Sequence, residues 1–72
     1  MDKQQFSLDG HPFIELNRLI KFLGWCNSGG EAKALIADAQ VKVDGEVELR
    51  KRCKIRPGQV VEYEANSVVV TE

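Results

Sequence analysis

Ser28-Gly29-Gly30-Glu31-Ala32-Lys33 is the stretch from which the fold can be read. Serine followed three residues later by glutamate is the capping-box pattern, in which each side chain satisfies a backbone N–H at a helix start. Two glycines inside a first turn are unusual, because glycine is a poor helix former. They leave the amides of that turn bare of side chains. An accessible helix N-terminus with its partial positive charge suits a phosphate, and Lys33 on the next turn is placed to reach the same anion. The plainer reading, which the hexapeptide alone favours, is that Gly29 and Gly30 only let the chain turn sharply out of the preceding loop.

Upstream, Leu16, Leu19, Ile20 and Leu23 fall at i, i+3, i+4 and i+7, the spacing of one buried helical stripe. Gly24 ends this helix. Arg18 and Lys21 are neighbours on its outer side, flanked by Phe22 and Trp25. Aromatics beside cations can stack on unpaired bases. The simpler expectation puts Phe22 in the core and makes Trp25 a partly buried lid. Downstream, a second helix is predicted from Gly29 to Ala39, with Ala32, Leu35, Ile36 and Ala39 inward and Lys33 outward. Val41 to Leu49 then alternates with period two around Asp44-Gly45, a strong hairpin signal. Val41, Val43, Val47 and Leu49 are expected to face the core, and Lys42 and Glu48 to face out.

A second, weaker hairpin is expected at Phe6-Ser7-Leu8 and Phe13-Ile14-Glu15-Leu16 around Asp9-Gly10. His11 reads as an exposed turn residue rather than a ligand or base. Val60 to Glu64 and Val68 to Thr71 are predicted strands, joined near Ala65-Asn66-Ser67. With helices and hairpins mixed along the chain, the class is α+β.

Seventy-two residues are expected to make a single domain, 1–72. No apolar run is long enough to span a membrane. The opening residues, Met1-Asp2-Lys3-Gln4-Gln5, are polar and unlike a signal peptide, so the cytoplasm is the expected location. Cys26 and Cys53 read as free, half-buried thiols rather than a redox pair. One histidine and no Cys-x-x-Cys provide too few ligands for zinc, so neither metal nor cofactor is expected.

The net charge of −1 argues against a generic polyanion binder. The distribution argues otherwise. Residues 18–56 hold nine bases and five acids, residues 1–17 one base and three acids, and residues 57–72 three acids and no base. Arg50-Lys51-Arg52-Cys53-Lys54-Ile55-Arg56 is the densest run, with five bases in seven residues. A basic middle between acidic ends can present one positive face, which steers a nucleic acid in.

Taken in order, the residues from about 16 to 62 resemble the RNA-binding domain family of small-subunit ribosomal protein S-four, the alpha-L motif. The likeness rests on Ile20-Lys21 in a helix ending at Gly24, on Ser28 to Lys33, and on Leu35-Ile36. It continues through Val41-Lys42-Val43-Asp44-Gly45, the basic run, and Arg56-Pro57-Gly58-Gln59-Val60-Val61. The Ser-Gly-Gly-Glu-Ala-Lys version is similar to the short stand-alone bacterial branch, of the YbcJ type. The resemblance implies two packed helices against a small, bent antiparallel sheet. It also implies structured RNA, ribosomal or transfer, lying across helix ends and the adjoining hairpin.

Carried over by position, the implied RNA-binding residues are Lys21 in the first helix, Ser28, Gly29, Gly30 and Lys33 at the second, and Arg50, Lys51, Arg52 and Lys54 in the basic strand and loop. Arg18, beside Lys21, joins them from the reading of the helix. Many members carry arginines at the positions of Gly29 and Gly30, asparagine at that of Asp44, and often aspartate at that of Gln59. Asp44 therefore adds negative charge near the presumed face, and Gln59 reads as a change confined to a turn.

The leading expectation is a monomeric, non-catalytic RNA-binding module whose partners are RNA and, with it, ribosomal particles or RNA-processing proteins. The alternative is an adaptor docking an acidic protein partner through the same strip. An enzyme is the weakest option, since His11 has no evident nucleophile, Ser28 no base, and neither cysteine an activator.

Overall fold

The computed structural model describes residues 2–72, with side chains from Gln4 onward. Met1, part of the polar opening stretch, lies outside the described residues. The elements run β1 (Asp2–Ser7), β2 (Ile14–Glu15), α1 (Leu16–Phe22), α2 (Gly29–Ala37), β3 (Val41–Val43), β4 (Glu46–Val47), β5 (Lys54–Ile55), β6 (Val60–Tyr63) and β7 (Asn66–Thr71). Five strands form one sheet in the order β1-β7-β6-β3-β4, and β2 pairs with β5 in a second small sheet. The class is α+β, as expected. One core joins Leu16, Leu19 and Ile20 of α1, Ala32 and Ile36 of α2, and Val41, Val61, Val68 and Val70 of the large sheet. Among the described residues, no helix is long and apolar enough to cross a membrane.

Both helices end as their sequences allow, in Schellman motifs. After α1, Gly24 takes φ +78; its N–H donates to the Lys21 carbonyl and that of Trp25 to the Ile20 carbonyl. After α2, the same two bonds run from Ala39 to Ile36 and from Gln40 to Leu35. Here the left-handed position holds alanine, Ala39 at φ +61. The predicted helix therefore stops two residues early, and Ala39 is exposed rather than on the buried stripe. An L side chain in this conformation costs about 1–2 kcal/mol. Ala39→Gly is expected to stabilise the fold by about 1 kcal/mol, raising the melting temperature by ~4–8 °C for a domain this size. Thermal and urea melts check this; a lowered midpoint would refute it.

The N-terminal hairpin is not formed. Its turn is present, with Asp9 and Gly10 at positive φ and the His11 N–H on the Leu8 carbonyl, 3.1 Å. The strands it was expected to pair go elsewhere. β1 lies parallel to β7, and Ile14 and Glu15 pair with Ile55 and Lys54 of β5. The sheet is therefore mixed, not wholly antiparallel.

The β3–β4 hairpin has the expected two-residue turn, Asp44 and Gly45 both at positive φ. Its outward and inward faces differ from the alternation read across it. A two-residue turn places residue i opposite i+3, so Val43 pairs with Glu46 and Lys42 with Val47. Parity changes at the turn. Val47 and Leu49 are consequently exposed, at 48% and 59%, while the Glu48 side chain is largely covered. The β6–β7 turn is also two residues long, at Glu64-Ala65, one residue earlier than predicted, with Tyr63 opposite Asn66 and only Glu64 at positive φ.

Phe22 is a further correction. It is 75% exposed, because α1 buries Leu16, Leu19 and Ile20 and position 22 falls off that stripe. Its ring meets Phe6 edge-to-face at 5.3 Å. Trp25 is half buried against Tyr63, at 6.2 Å between centroids, as the lid reading expected.

Candidate functional site

The basic residues singled out above fall mostly into two groups at the two ends of α1. With seven residues, that helix is ~10 Å long.

The first group begins with the turn at Lys51-Arg52. Glu15, the N-cap of α1, makes no side-chain cap bond, so the first helical amides need other acceptors. The basic segment supplies them. The Leu16 N–H donates to the Cys53 carbonyl at 2.8 Å and the Asn17 N–H to the Lys51 carbonyl at 3.0 Å. This seats the turn against the helix and leaves Arg50, Lys51 and Arg52 exposed. Beyond it, β5 pairs with β2 and brings Lys54, with Arg56 just after the strand, against the Phe13 ring. Lys54 Nζ lies 4.9 Å and the Arg56 guanidinium 5.9 Å from the Phe13 centroid, within cation–π range. Arg18, exposed one residue beyond Asn17, borders the same cavity as Phe13.

The second group lies where α1 hands over to α2. The Cys26 Sγ donates to the Ser28 carbonyl at 3.5 Å, and the charges of Lys21 and Glu31 both act on that thiol. Lys21, exposed, lies in the last turn of α1. Ser28 Oγ accepts from the Glu31 N–H at 3.2 Å. The Glu31 carboxylate reaches back to the Asn27 N–H at 2.9 Å, one residue earlier than the capping box predicts. The Gly29 and Gly30 amides donate to nothing among the described residues. Neither glycine takes a positive φ. A Cβ at Gly29 would meet nothing within 4 Å, and one at Gly30 only Ser28 Oγ at 3.9 Å. The backbone does not require glycine here, so the sharp-turn reading loses its steric basis. Lys33, exposed, is three and four residues further on and shares that side of the helix.

Arg50 stands apart. It makes the sole ion pair among the described residues, a fork onto Glu48 at 3.0 Å from Nε and 3.2 Å from a terminal nitrogen. Its backbone N–H also donates to Glu48 at 3.0 Å. These bonds hold the Glu48 carboxyl down at about 2, against a usual 4.5. Arg50 therefore braces the loop. Because the folded value lies below the unfolded one, this stabilisation is complete above pH ~4.5 and fades as pH falls toward 2. Glu48→Gln is expected to cost up to about 1 kcal/mol at pH 7, the range of a surface pair. Urea melts of variant and parent should converge as pH falls from 4.5 to 2; a gap that persists there would exclude the ion pair as its cause.

Asp44 and Gln59, two departures from the family pattern, work together. Asp44 Oδ1 accepts from the Val60 N–H at 3.0 Å and Oδ2 from Gln59 Nε2 at 3.2 Å. Gln59 Oε1 in turn accepts from the Arg56 N–H at 2.7 Å. The carboxylate that reads from sequence as stray negative charge ties the β3–β4 turn to the loop after β5.

Both cysteines are free and more deeply buried than expected. Burial pushes both thiols above their usual value, which keeps them protonated and unreactive. Phe13 and Arg56 were missed as site neighbours, because only the β2–β5 pairing brings them together.

A family model described as S4 domain matches residues 6–71. The chain is 57% identical over 65 residues to the Escherichia coli K12 protein named "Putative RNA-binding protein YbcJ", covering 90% of this chain and 93% of that one. The Shigella flexneri "Uncharacterized protein YbcJ" matches to the same extent. The solution structure of Escherichia coli YbcJ, described as revealing an alfaL motif involved in RNA-binding, superimposes with a TM-score of 0.75 at 51% identity, covering 100% of this chain and 91% of that one.

Proposed function

The chain belongs to the S4 domain family, and on that premise we propose that it is a non-catalytic RNA-binding protein. It binds structured RNA, with ribosomal and transfer RNA the leading candidates, as a monomer in the cytoplasm. The observation that carries this reading is the fold shared over the whole chain with a structure whose motif is described as involved in RNA-binding. The exposed cations Arg18, Lys21, Lys33, Lys51, Arg52 and Lys54 support it, since none forms an ion pair with a carboxylate among the described residues. They are free to contact phosphates, and the open Gly29 and Gly30 amides add uncharged donors at a helix N-terminus. Phosphate and 2′-hydroxyl contacts dominate over base readout in this arrangement.

Fluorescence anisotropy of labelled ribosomal and transfer RNA fragments, titrated across salt, tests the reading. With about five phosphates neutralised, the log–log slope is expected near −3.5 to −4.5. Absence of binding at low salt, or a flat slope, would sink it. A second reading, an adaptor for an acidic partner, draws on the exposed Val47 and Leu49 close to the Lys51-Arg52 turn. Ribonuclease treatment of a pull-down separates the two. Loss of ribosomal particles and processing factors supports RNA; their retention supports the adaptor.

A further inference from the structure

The small β2–β5 ribbon has two unlike faces. Ile14 and Ile55 pair across it and pack into the core. Side chains alternate along a strand, so the other face carries Phe13, Glu15, Lys54 and Arg56. Glu15 is the residue directly opposite Lys54, a placement that favours pairing of opposite charges. Among the described residues no such ion pair forms. Lys54 Nζ lies instead 4.9 Å from the Phe13 centroid, and the Arg56 guanidinium 5.9 Å from it. Phe13 is half-buried and both cations are exposed.

A carboxylate and a ring hold a cation differently. The carboxylate neutralises the charge and takes up N–H donors, as Glu48 does with Arg50 Nε and a terminal nitrogen. The ring attracts through its quadrupole and leaves the three donors of an ammonium and the five of a guanidinium available. Lysine and arginine are long and rotamer-rich, and ordering them opposes binding. The Phe13 ring thus restricts Lys54 and Arg56 without neutralising either. Both border one recess between the β3–β4 hairpin and β5, together with Asp44, Glu46 and Glu48. Glu48 is engaged by Arg50, and Asp44 by the Val60 N–H and Gln59 Nε2. Glu46 is the one acid of that lining left without a partner among the described residues.

We propose that Phe13 is a positioning residue of the RNA-binding surface: its ring holds Lys54 and Arg56 as a paired contact for the RNA backbone, with Arg56 a phosphate contact alongside Lys54. The inference rests on the RNA-binding reading and goes beyond it, because Phe13 acts through its two neighbours rather than on the RNA.

The probe is whichever labelled ribosomal or transfer RNA fragment the parent binds most tightly. Lys54→Gln with Arg56→Gln is expected to weaken binding roughly tenfold and to flatten the salt slope by about 2, near one per lost phosphate contact. Phe13→Leu keeps apolar bulk and loses the ring; it is expected to weaken binding about three- to tenfold, the scale of ordering two such side chains. Phe13→Tyr keeps the ring and should bind within about twofold of the parent. In the Lys54→Gln, Arg56→Gln background, Phe13→Leu should change affinity less than about 1.5-fold, because its effect runs through the two cations. Trp25 fluorescence and urea melts report that each variant is folded. NMR of the parent needs no variant: the Lys54 methylene protons should be shifted upfield by the Phe13 ring current.

Phe13→Leu binding as the parent does, Phe13→Tyr losing as much as Phe13→Leu, or an undiminished loss in the glutamine background would each overturn this role for Phe13 while RNA binding stands. Lys54 methylene signals at unshifted positions would overturn it as well. If the parent binds none of the fragments at low salt, the RNA-binding reading fails and this inference falls with it.

Discussion

A chain cut back to residues 16–62, the stretch on which the resemblance is first read and shorter than the 6–71 that the family model matches, is expected not to fold. The cut removes Leu8, Val68 and Val70 from the core and takes away β1 and β7 entirely. β2 and Tyr63 go with the cut, so β5 loses its partner and the three β6 residues that remain keep β3 on one side but lose β7 on the other. Burying three such side chains is worth roughly 5–9 kcal/mol. A domain of 72 residues has a total stability of only about 4–11 kcal/mol. The two ranges overlap, so little or no net stability remains. Far-UV circular dichroism and amide proton dispersion at 25 °C should both report an unfolded chain. Deleting residues 1–7 alone is the milder comparison: it removes the parallel edge strand but keeps Leu8, and should leave a weaker, still cooperative fold. A sigmoidal urea transition from the 16–62 fragment would show that the outer strands are accessory.

The second large effect concerns binding. Lys51→Glu, Arg52→Glu and Lys54→Glu together are expected to reduce affinity for structured RNA on the order of 100-fold at physiological salt, and to flatten the salt slope by about 2–3, near one per lost phosphate contact. All three side chains are exposed and none is in an ion pair, so the fold should survive. Arg50 is left intact because a carboxylate there would face Glu48 across the bond that now joins them. Reversing Glu62 and Glu64 is expected to change affinity by only a few-fold. Equal losses at both places would mean that the RNA responds to total charge rather than to this turn.

Much of the helical part was legible beforehand, because the signals are local. Ser28 caps α2 through an atom three residues away, and Gly24 ends α1 within one turn. The core stripes at Leu16, Leu19 and Ile20 and at Ala32 and Ile36 follow from helical periodicity alone. The free thiols and the Asp44-Gly45 turn were legible for the same reason. The misreadings arise where a residue's surroundings depend on a distant partner. Gln4 and Gln5 carry no strand pattern, yet they lie in β1 because Val68 and Val69 offer an open edge. Val47 and Leu49 look like core until the register of the turn sends them outward.

For the candidate site the division is similar. Ser28, Gly29, Gly30 and Lys33 are near one another by virtue of sequence spacing on one helix start, and Lys21 lies in the last turn of the helix before it. Arg50 looked equivalent to Lys51 and Arg52, and only the fold sets it against Glu48. Phe13 and Phe22 carry nothing in the sequence that marks them as walls of one cavity.

Sequence alone determined the α+β class, the start of α2, the Asp44-Gly45 turn and the basic character of residues 50–56, since each depends on residues close together in the chain. Tertiary structure alone decided which strand completes the sheet, which valines are wet, which arginine is already spoken for, and where Phe6 meets Phe22. Those outcomes depend on pairings between residues far apart in the chain. A strand's pattern states which residues could be buried, but the partner and register state which face is turned inward.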